Sequence, residues 1–206
     1  MLDKRHILLG VSGGVAAYKA VDLAGKLTAA GAEVKTVMTK SACRLIGPKS
    51  FEAVTQSAVF TTMWSTSEEF KIGHVALADW ADVVVVAPAT ANILAKVALG
   101  VCDDALSTTL CVCWAKPTLF APAMNTRMWD NPAVQANVET LTRRGVLWIG
   151  PDAGRLACGT EGLGRMAEPQ DIVEAIEKIA SQIEKHEIRN SKLETNSKNQ
   201  NTKFET

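Results

Sequence analysis

Asn125 lies in the run Pro122-Ala123-Met124-Asn125-Thr126-Arg127-Met128-Trp129, a neutral amide among bulky apolar side chains directly after the strand-like stretch Thr118 to Ala121. An amide donor can fix the orientation of a carboxylate, and Met124, Met128 and Trp129 would exclude the water that otherwise stabilises the charge and resists loss of CO2. The chemistry such a run suits is decarboxylation. The same asparagine could instead cap a helix running toward Trp129, with the Met and Trp as core filler.

Four other segments carry groups that could bind or react. Ser12-Gly13-Gly14 lies in a loop joining a strand to a helix, where free backbone N–H groups and the helix dipole favour a phosphate. The loop is no G-x-G-x-x-G fingerprint, and the second strand ends in Thr39-Lys40-Ser41 where a dinucleotide site would want an acid, so a mononucleotide fits better. A tight packing turn is the alternative. Pro88-Ala89-Thr90-Ala91-Asn92 offers small residues for close approach to a flat ring, with Thr90 and Asn92 as hydrogen-bonding groups; an ordinary N-cap by Thr90 would also explain it. His74, read alone, is a loop or core histidine. Cys158, between Ala157 and Gly159, is either a buried structural thiol or a glycine-flanked thiol that reaches a ligand when a flap closes.

The elements that must position these groups alternate between apolar runs rich in Val, Ile and Leu and helical patterns, the signature of a parallel sheet covered on both faces. Strands are expected at His6 to Val11, Glu33 to Thr39, Ala81 to Ala87, Pro117 to Ala121 and Val146 to Ile149. Helices are expected at Val15 to Ala30, closed by Gly31, and at Pro132 to Arg144, closed by Gly145. The fold class is then α/β, a doubly wound parallel sheet in which ligands bind beyond the carboxyl ends of the strands. The segments at 12–14, 39–41, 88–92 and 122–129 all fall there. Gly150 to Pro169 has five dispersed glycines and no period, and reads as a mobile flap. Pro169 to Glu187 reads as a closing amphipathic helix, which makes 1–187 one domain, and the polar stretch 188–206 reads as a disordered tail.

Composition excludes several functions. Lys+Arg and Asp+Glu are equal at 22 each, so no global basic field draws nucleic acid or an anionic membrane. No apolar run is long enough to span a bilayer and the amino terminus lacks signal-peptide regions, so a cytoplasmic protein is expected. The 5 cysteines are irregularly spaced and the 3 histidines scattered, which argues against both a disulfide framework and a metal site.

The pattern P-x-M-N-x-x-M-W resembles that of the flavin-containing cysteine decarboxylases. Pro88 to Asn92 matches their P-A-S/T-A-N segment, Gly73-His74 with Trp80-Ala81-Asp82 matches their glycine and histidine ahead of W-A-D, and Ala157-Cys158-Gly159 matches an A-C-G clamp. The resemblance runs from about Lys4 to Ile183, with the motifs in order. It implies a Rossmann-like, flavodoxin-type three-layer sandwich holding FMN through Ser12, Gly13, Gly14, Thr39, Ser41, Thr90, Ala91 and Asn92. It also implies a substrate site of Asn125, Met128, Ala157 and Arg165, with His74 as catalytic base or proton shuttle and Cys158 as proton donor.

The activity so implied is FMN-dependent decarboxylation of 4′-phosphopantothenoyl-L-cysteine to 4′-phosphopantetheine in coenzyme A biosynthesis, in a homo-oligomer that is a trimer or an assembly of trimers with sites shared between subunits. Decarboxylation of a peptide's terminal cysteine is the alternative within the same chemistry, and related decarboxylases of that kind do not need the cysteine donor. A regulatory subunit that binds a protein phosphatase is the alternative from another class, disfavoured by the balanced charge. A flavin prenyltransferase would leave His74, the 122–129 run and the A-C-G clamp without a use. One departure is Leu45, where the family often has an aromatic residue near the flavin. Only the polar tail follows the decarboxylase region where many bacterial relatives continue into a ligase domain, which leaves a stand-alone enzyme and a fragment as open readings.

Overall fold

The fold follows from four consecutive valines that have no solvent face to turn to. Val83 to Val86 open β4 (Val83–Ala89), every residue of which is buried, as a strand covered on both faces requires. A computed structural model describes residues 2–64 and 73–201, with side chains described to Lys185. In it β4 pairs in parallel with β1 (His6–Val11), and β1 with β2 (Glu33–Met38). The full sheet has the order β3-β2-β1-β4-β5-β6, with β5 at Thr118–Pro122 and two-residue edges at β3 (Val59–Phe60) and β6 (Leu147–Trp148). Such short edges leave little unpaired backbone to recruit another strand.

Alternation along the strands separates two cores. Ile7, Leu9 and Val11 of β1, Val83 and Val85 of β4 and Leu119 of β5 point to one face; Leu8, Val84, Val86 and Phe120 point to the other. The first face is covered by α1 (Ala17–Ala29), α3 (Pro48–Thr55) and α9 (Pro169–Asn201). Within α1 the buried positions Ala20, Leu23, Ala24 and Leu27 recur at helical spacing, and Gly31 follows with φ +91, a conformation that glycine adopts without steric cost. The second face carries α4 (Gly73–Trp80), α5 (Ala91–Leu99), α6 (Ala105–Val112) and α8 (Pro132–Arg143). The architecture is the expected doubly wound, flavodoxin-like three-layer sandwich. Truncating fully buried Phe120 to Ala would cost about 3–5 kcal/mol.

The structure gives the flap segment a definite form and corrects the reading of the tail. The 150–169 segment contains an antiparallel hairpin, β7 (Asp152–Arg155) with β8 (Glu161–Arg165). Its period was hidden because Gly154, Gly162 and Gly164 occupy strand positions, with φ between +144 and +158. The stretch read as a disordered tail is helical as far as Asn201, since α9 simply continues. Its Glu, Lys, Gln and Leu residues favour a helix once an apolar stripe (Ile172, Val173, Ile176 and Ile179) has nucleated one against α1.

Candidate functional site

The carboxyl ends of β1, β4 and β5 open into a cavity of about 1530 Å³. That exceeds the roughly 300–1,000 Å³ of an ordinary small-molecule site, so a cofactor and a substrate fit together. Its lining brings together nearly all of the predicted residues: Ser12, Gly13, Gly14, Thr39, Ser41, Thr90, Ala91 and Asn92 on one side, and Asn125, Met128, Ala157, Cys158 and Arg165 on the other.

On the first side the loops hold one another. Ser12 Oγ donates to the Pro88 carbonyl at 2.7 Å, accepts the Thr90 amide at 3.0 Å and lies 2.9 Å from Thr90 Oγ1. Thr90 stands at the N-cap of α5 but makes no side-chain capping bond, because its hydroxyl is turned to Ser12. Thr39 caps the one-turn helix α2 (Lys40–Cys43) by accepting the Ala42 amide at 3.1 Å. Ser12, Thr39 and Thr90 therefore build the cradle as well as line it. Gly13 packs so tightly on Ser41 that any Cβ would collide with that side chain, and a Cβ on Gly14 would meet Thr90 Cγ2 at 3.2 Å. Just before α1, the amides of Gly13, Val15 and Ala16 make no hydrogen bond among the described residues. Unpaired amides at a helix start beside a glycine cradle fit a phosphate group, and the small Ala89-Thr90-Ala91 edge admits a flat ring. Leu45 is exposed and does not line the cavity.

On the second side Asn125 caps a helix with one end of its amide and keeps the other end as a donor. Its Oδ1 caps the short helix α7 (Thr126–Trp129) by accepting the Arg127 amide at 2.9 Å, which leaves Nδ2 facing outward as a donor. Nδ2 donates to Cys158 Sγ at 3.2 Å. The hairpin reaches this position because its glycines allow close approach: Met124 N donates to Gly164 O at 3.0 Å, and a Cβ on Gly164 would run into the Met124 carbonyl. Gly162 lies over Thr126 in the same way. Arg165 lies flat along Gly154 and donates to Glu168 Oε1 at 2.6 Å, and the same oxygen accepts Lys19 Nζ of α1 at 2.8 Å. The Lys19 hydrogen bond, opposed by slight burial and reinforced by Arg165, holds Glu168 below the usual glutamate range.

Electrostatics separate Cys158 from Cys43 and Cys113. Burial pushes Cys113 up to about 11 and raises Cys43. Cys158 moves the other way, first through the Thr160 hydroxyl and backbone and then through Asn125, so it is the more acidic thiol. Deeper in the wall, Lys96 is held by Asp103 and Asp104, both at 2.6 Å. Burial works against its charge, and the two carboxylates override that and raise its pKa. Asp104 also caps α6 through Ser107 N at 2.8 Å.

Two sequence-predicted residues are not in the cavity. His74 is half-buried near the start of α4, in the helical layer on the second face. Trp129, expected to help exclude water, does not line the cavity, and its carbonyl accepts Gln135 of α8; Met124 and Met128 do line it. Sequence reasoning missed Arg155, Thr160, Lys19 and Glu168. The basic residues and Glu168 gave no signal without the hairpin pairing, and Thr160 is recognisable only from the turn that folds it back on Cys158.

A doubly wound sheet with a glycine cradle at its carboxyl end and a thiol-bearing hairpin over it is the architecture of a nucleotide-cofactor protein. The chain belongs to the Flavoprotein family, which it matches over residues 1–181. It is 48% identical over 178 residues to the coenzyme A biosynthesis bifunctional protein CoaBC of Bacillus subtilis (86% of this chain, 44% of that one) and 40% identical over 181 residues to that of Haemophilus influenzae (88% and 45%). The chain thus spans less than half the length of these relatives. Among solved structures it resembles a mutant PPC decarboxylase complexed with pantothenoylaminoethenethiol, with TM-score 0.74 and 37% identity over 86% of this chain and 99% of that one. The FMN-dependent cysteine decarboxylase SpaF matches with TM-score 0.73 and 37% identity, over 87% and 99%.

Proposed function

We propose that this chain binds FMN and decarboxylates 4′-phosphopantothenoyl-L-cysteine to 4′-phosphopantetheine. The observation that carries the reading is the contact of Asn125 Nδ2 with Cys158 Sγ, which sets an amide donor and an acidic thiol together beside the phosphate-binding cradle. Relatives named for coenzyme A biosynthesis and a neighbour named as a PPC decarboxylase support the choice of substrate.

FMN bound in the cradle supplies the reversible two-electron oxidation of the substrate thiol that no side chain here can perform. Ser41, the free amides of the 13–16 loop and Asn92 hold it. Asn125, its amide orientation locked by the cap on α7, donates to the substrate carboxylate, while Met124 and Met128 keep water from it. After CO2 has left, Cys158 Sγ gives a proton to the carbon that bore the carboxylate. His74 takes the proton of the substrate thiol. Because His74 lies outside the cavity of its own chain, the proposal requires a second copy to bring it there, in a trimer or an assembly of trimers.

The test is purification without added flavin, followed by an absorbance spectrum and a CO2-release assay on 4′-phosphopantothenoyl-L-cysteine. A folded but colourless protein that releases no CO2 overturns the proposal. Mixing His74→Asn chains with Asn125→Asp chains, after dissociation and reassembly, is expected to restore activity that neither variant has alone. No restoration would place the base within one chain.

A further inference from the structure

The turn that carries Cys158 is built to present a hydroxyl to its sulfur. Leu156 N donates to Thr160 O at 2.8 Å and Gly159 N to Leu156 O at 2.9 Å, closing five residues into a tight loop at the tip of the hairpin. Gly159, at φ +85, makes the reversal, and Thr160 Oγ1 thereby comes to 3.1 Å from Cys158 Sγ. Asn125 Nδ2 approaches the same sulfur at 3.2 Å from α7. Thr160 is exposed, so its side chain is not there to fill the core.

We propose that Thr160 is a positioning residue for the proton transfer from Cys158: its hydroxyl donates to the sulfur as the S–H bond breaks and holds the thiolate that is left. This rests on the reading of Cys158 as proton donor given above. The proton goes from Sγ to the product carbon, the negative charge stays on sulfur between two donors, and solvent returns a proton after product leaves. Hydrogen bonds to the charged form favour it, which makes the neutral thiol a stronger acid. A donor works best when its acidity lies near the working pH, and an unassisted thiol is too weak an acid for that. The charged residues of the two elements that meet at the sulfur are Asp152, Arg155, Glu161 and Arg165 of the hairpin and Arg127 of α7, and none of them is a cause of the lowered pKa of Cys158, whose causes are hydrogen bonds opposed by slight burial.

The FMN-loaded full chain is alkylated with iodoacetamide across a pH series, and the modified Cys158 peptide is quantified by mass spectrometry. Thr160→Val keeps the shape and removes the hydroxyl; Thr160→Ser keeps the hydroxyl. The alkylation midpoint of Cys158 is expected to rise by about one pH unit in the valine variant and to return in the serine variant. In anaerobic single turnovers the valine variant should release CO2 at the normal rate but accumulate the unsaturated enethiol, with formation of saturated product slowed roughly tenfold. An unchanged midpoint in Thr160→Val overturns the proposal. A shifted midpoint with no enethiol overturns the link to turnover, and with it the donor role of Cys158, while leaving Thr160 as the group that sets the thiol's acidity.

Discussion

The two walls of the cavity are held by different means. The cradle wall is tied by hydrogen bonds between loops that follow central strands, with Ser12 only 1% exposed at the junction. The hairpin wall leans on Met124 and Thr126 through glycine backbone and on α1 through one ion-paired carboxylate, and its strands pair only with each other. The difference teaches a division of labour. A cofactor that stays needs a preformed cradle, whereas a substrate that enters and leaves needs a wall that can seat and unseat.

The sharpest way to break this comparison is a pair of glycine substitutions. Gly13→Val drives a side chain into Ser41 and should leave a folded chain without flavin and therefore without turnover. Gly164→Val drives one into the Met124 carbonyl at φ +144, and should abolish CO2 release at full flavin content. Flavin absorbance per chain beside CO2 release reads both, and flavin loss in the Gly164 variant would show that the walls are not separable. Next in size, Asn125→Asp preserves the oxygen that caps α7 but replaces the donor with a second carboxylate, so decarboxylation should fall about a thousandfold with the flavin retained. A near-normal rate would remove Asn125 from the carboxylate. Cys158→Ser should release CO2 normally and slow saturated product by roughly a hundredfold, seen as an enethiol two hydrogen masses lighter; wild-type yield of saturated product would assign the donor elsewhere.

The smallest effect concerns Glu168. Its carboxyl is held below the usual range in the folded chain, so its contribution to seating the hairpin is complete above the ordinary glutamate pKa of about 4.3 and fades as pH falls from there through its lowered value. Glu168→Gln should raise KM about two- to threefold at neutral pH with kcat unchanged, the group being half-exposed and screened. A larger change in kcat would mean that the ion pair aligns the chemistry as well as the wall.

The same contrast explains what could be read in the chain. β1 matched its expected span residue for residue, and β2, β4 and β5 came within two residues, because a continuous apolar run reports burial on both faces directly. The two-residue strand Val59–Phe60 has too little pattern to detect. The cradle was legible because loops after predicted strands must gather at one end of a parallel sheet. The hairpin was not, since glycine carries no periodicity and its packing partners, Met124 and Thr126, are distant in sequence. His74 marks a further limit: read alone it is a loop or core histidine, the structure puts it on α4, and nothing within one chain says where a second copy would bring it.

One acid joins the far helical layer to the cavity. Asp104 gives one oxygen to the first turn of α6 and the other to Lys96, whose side chain lines the wall. Fraying at the start of α6 would therefore leave that ammonium to Asp103 alone, and an incoming anion that draws the ammonium away would take a charge partner from the helix cap. Amide exchange at Leu106 and Ser107 becomes a remote gauge of the cavity's charge, readable without any signal from flavin or substrate.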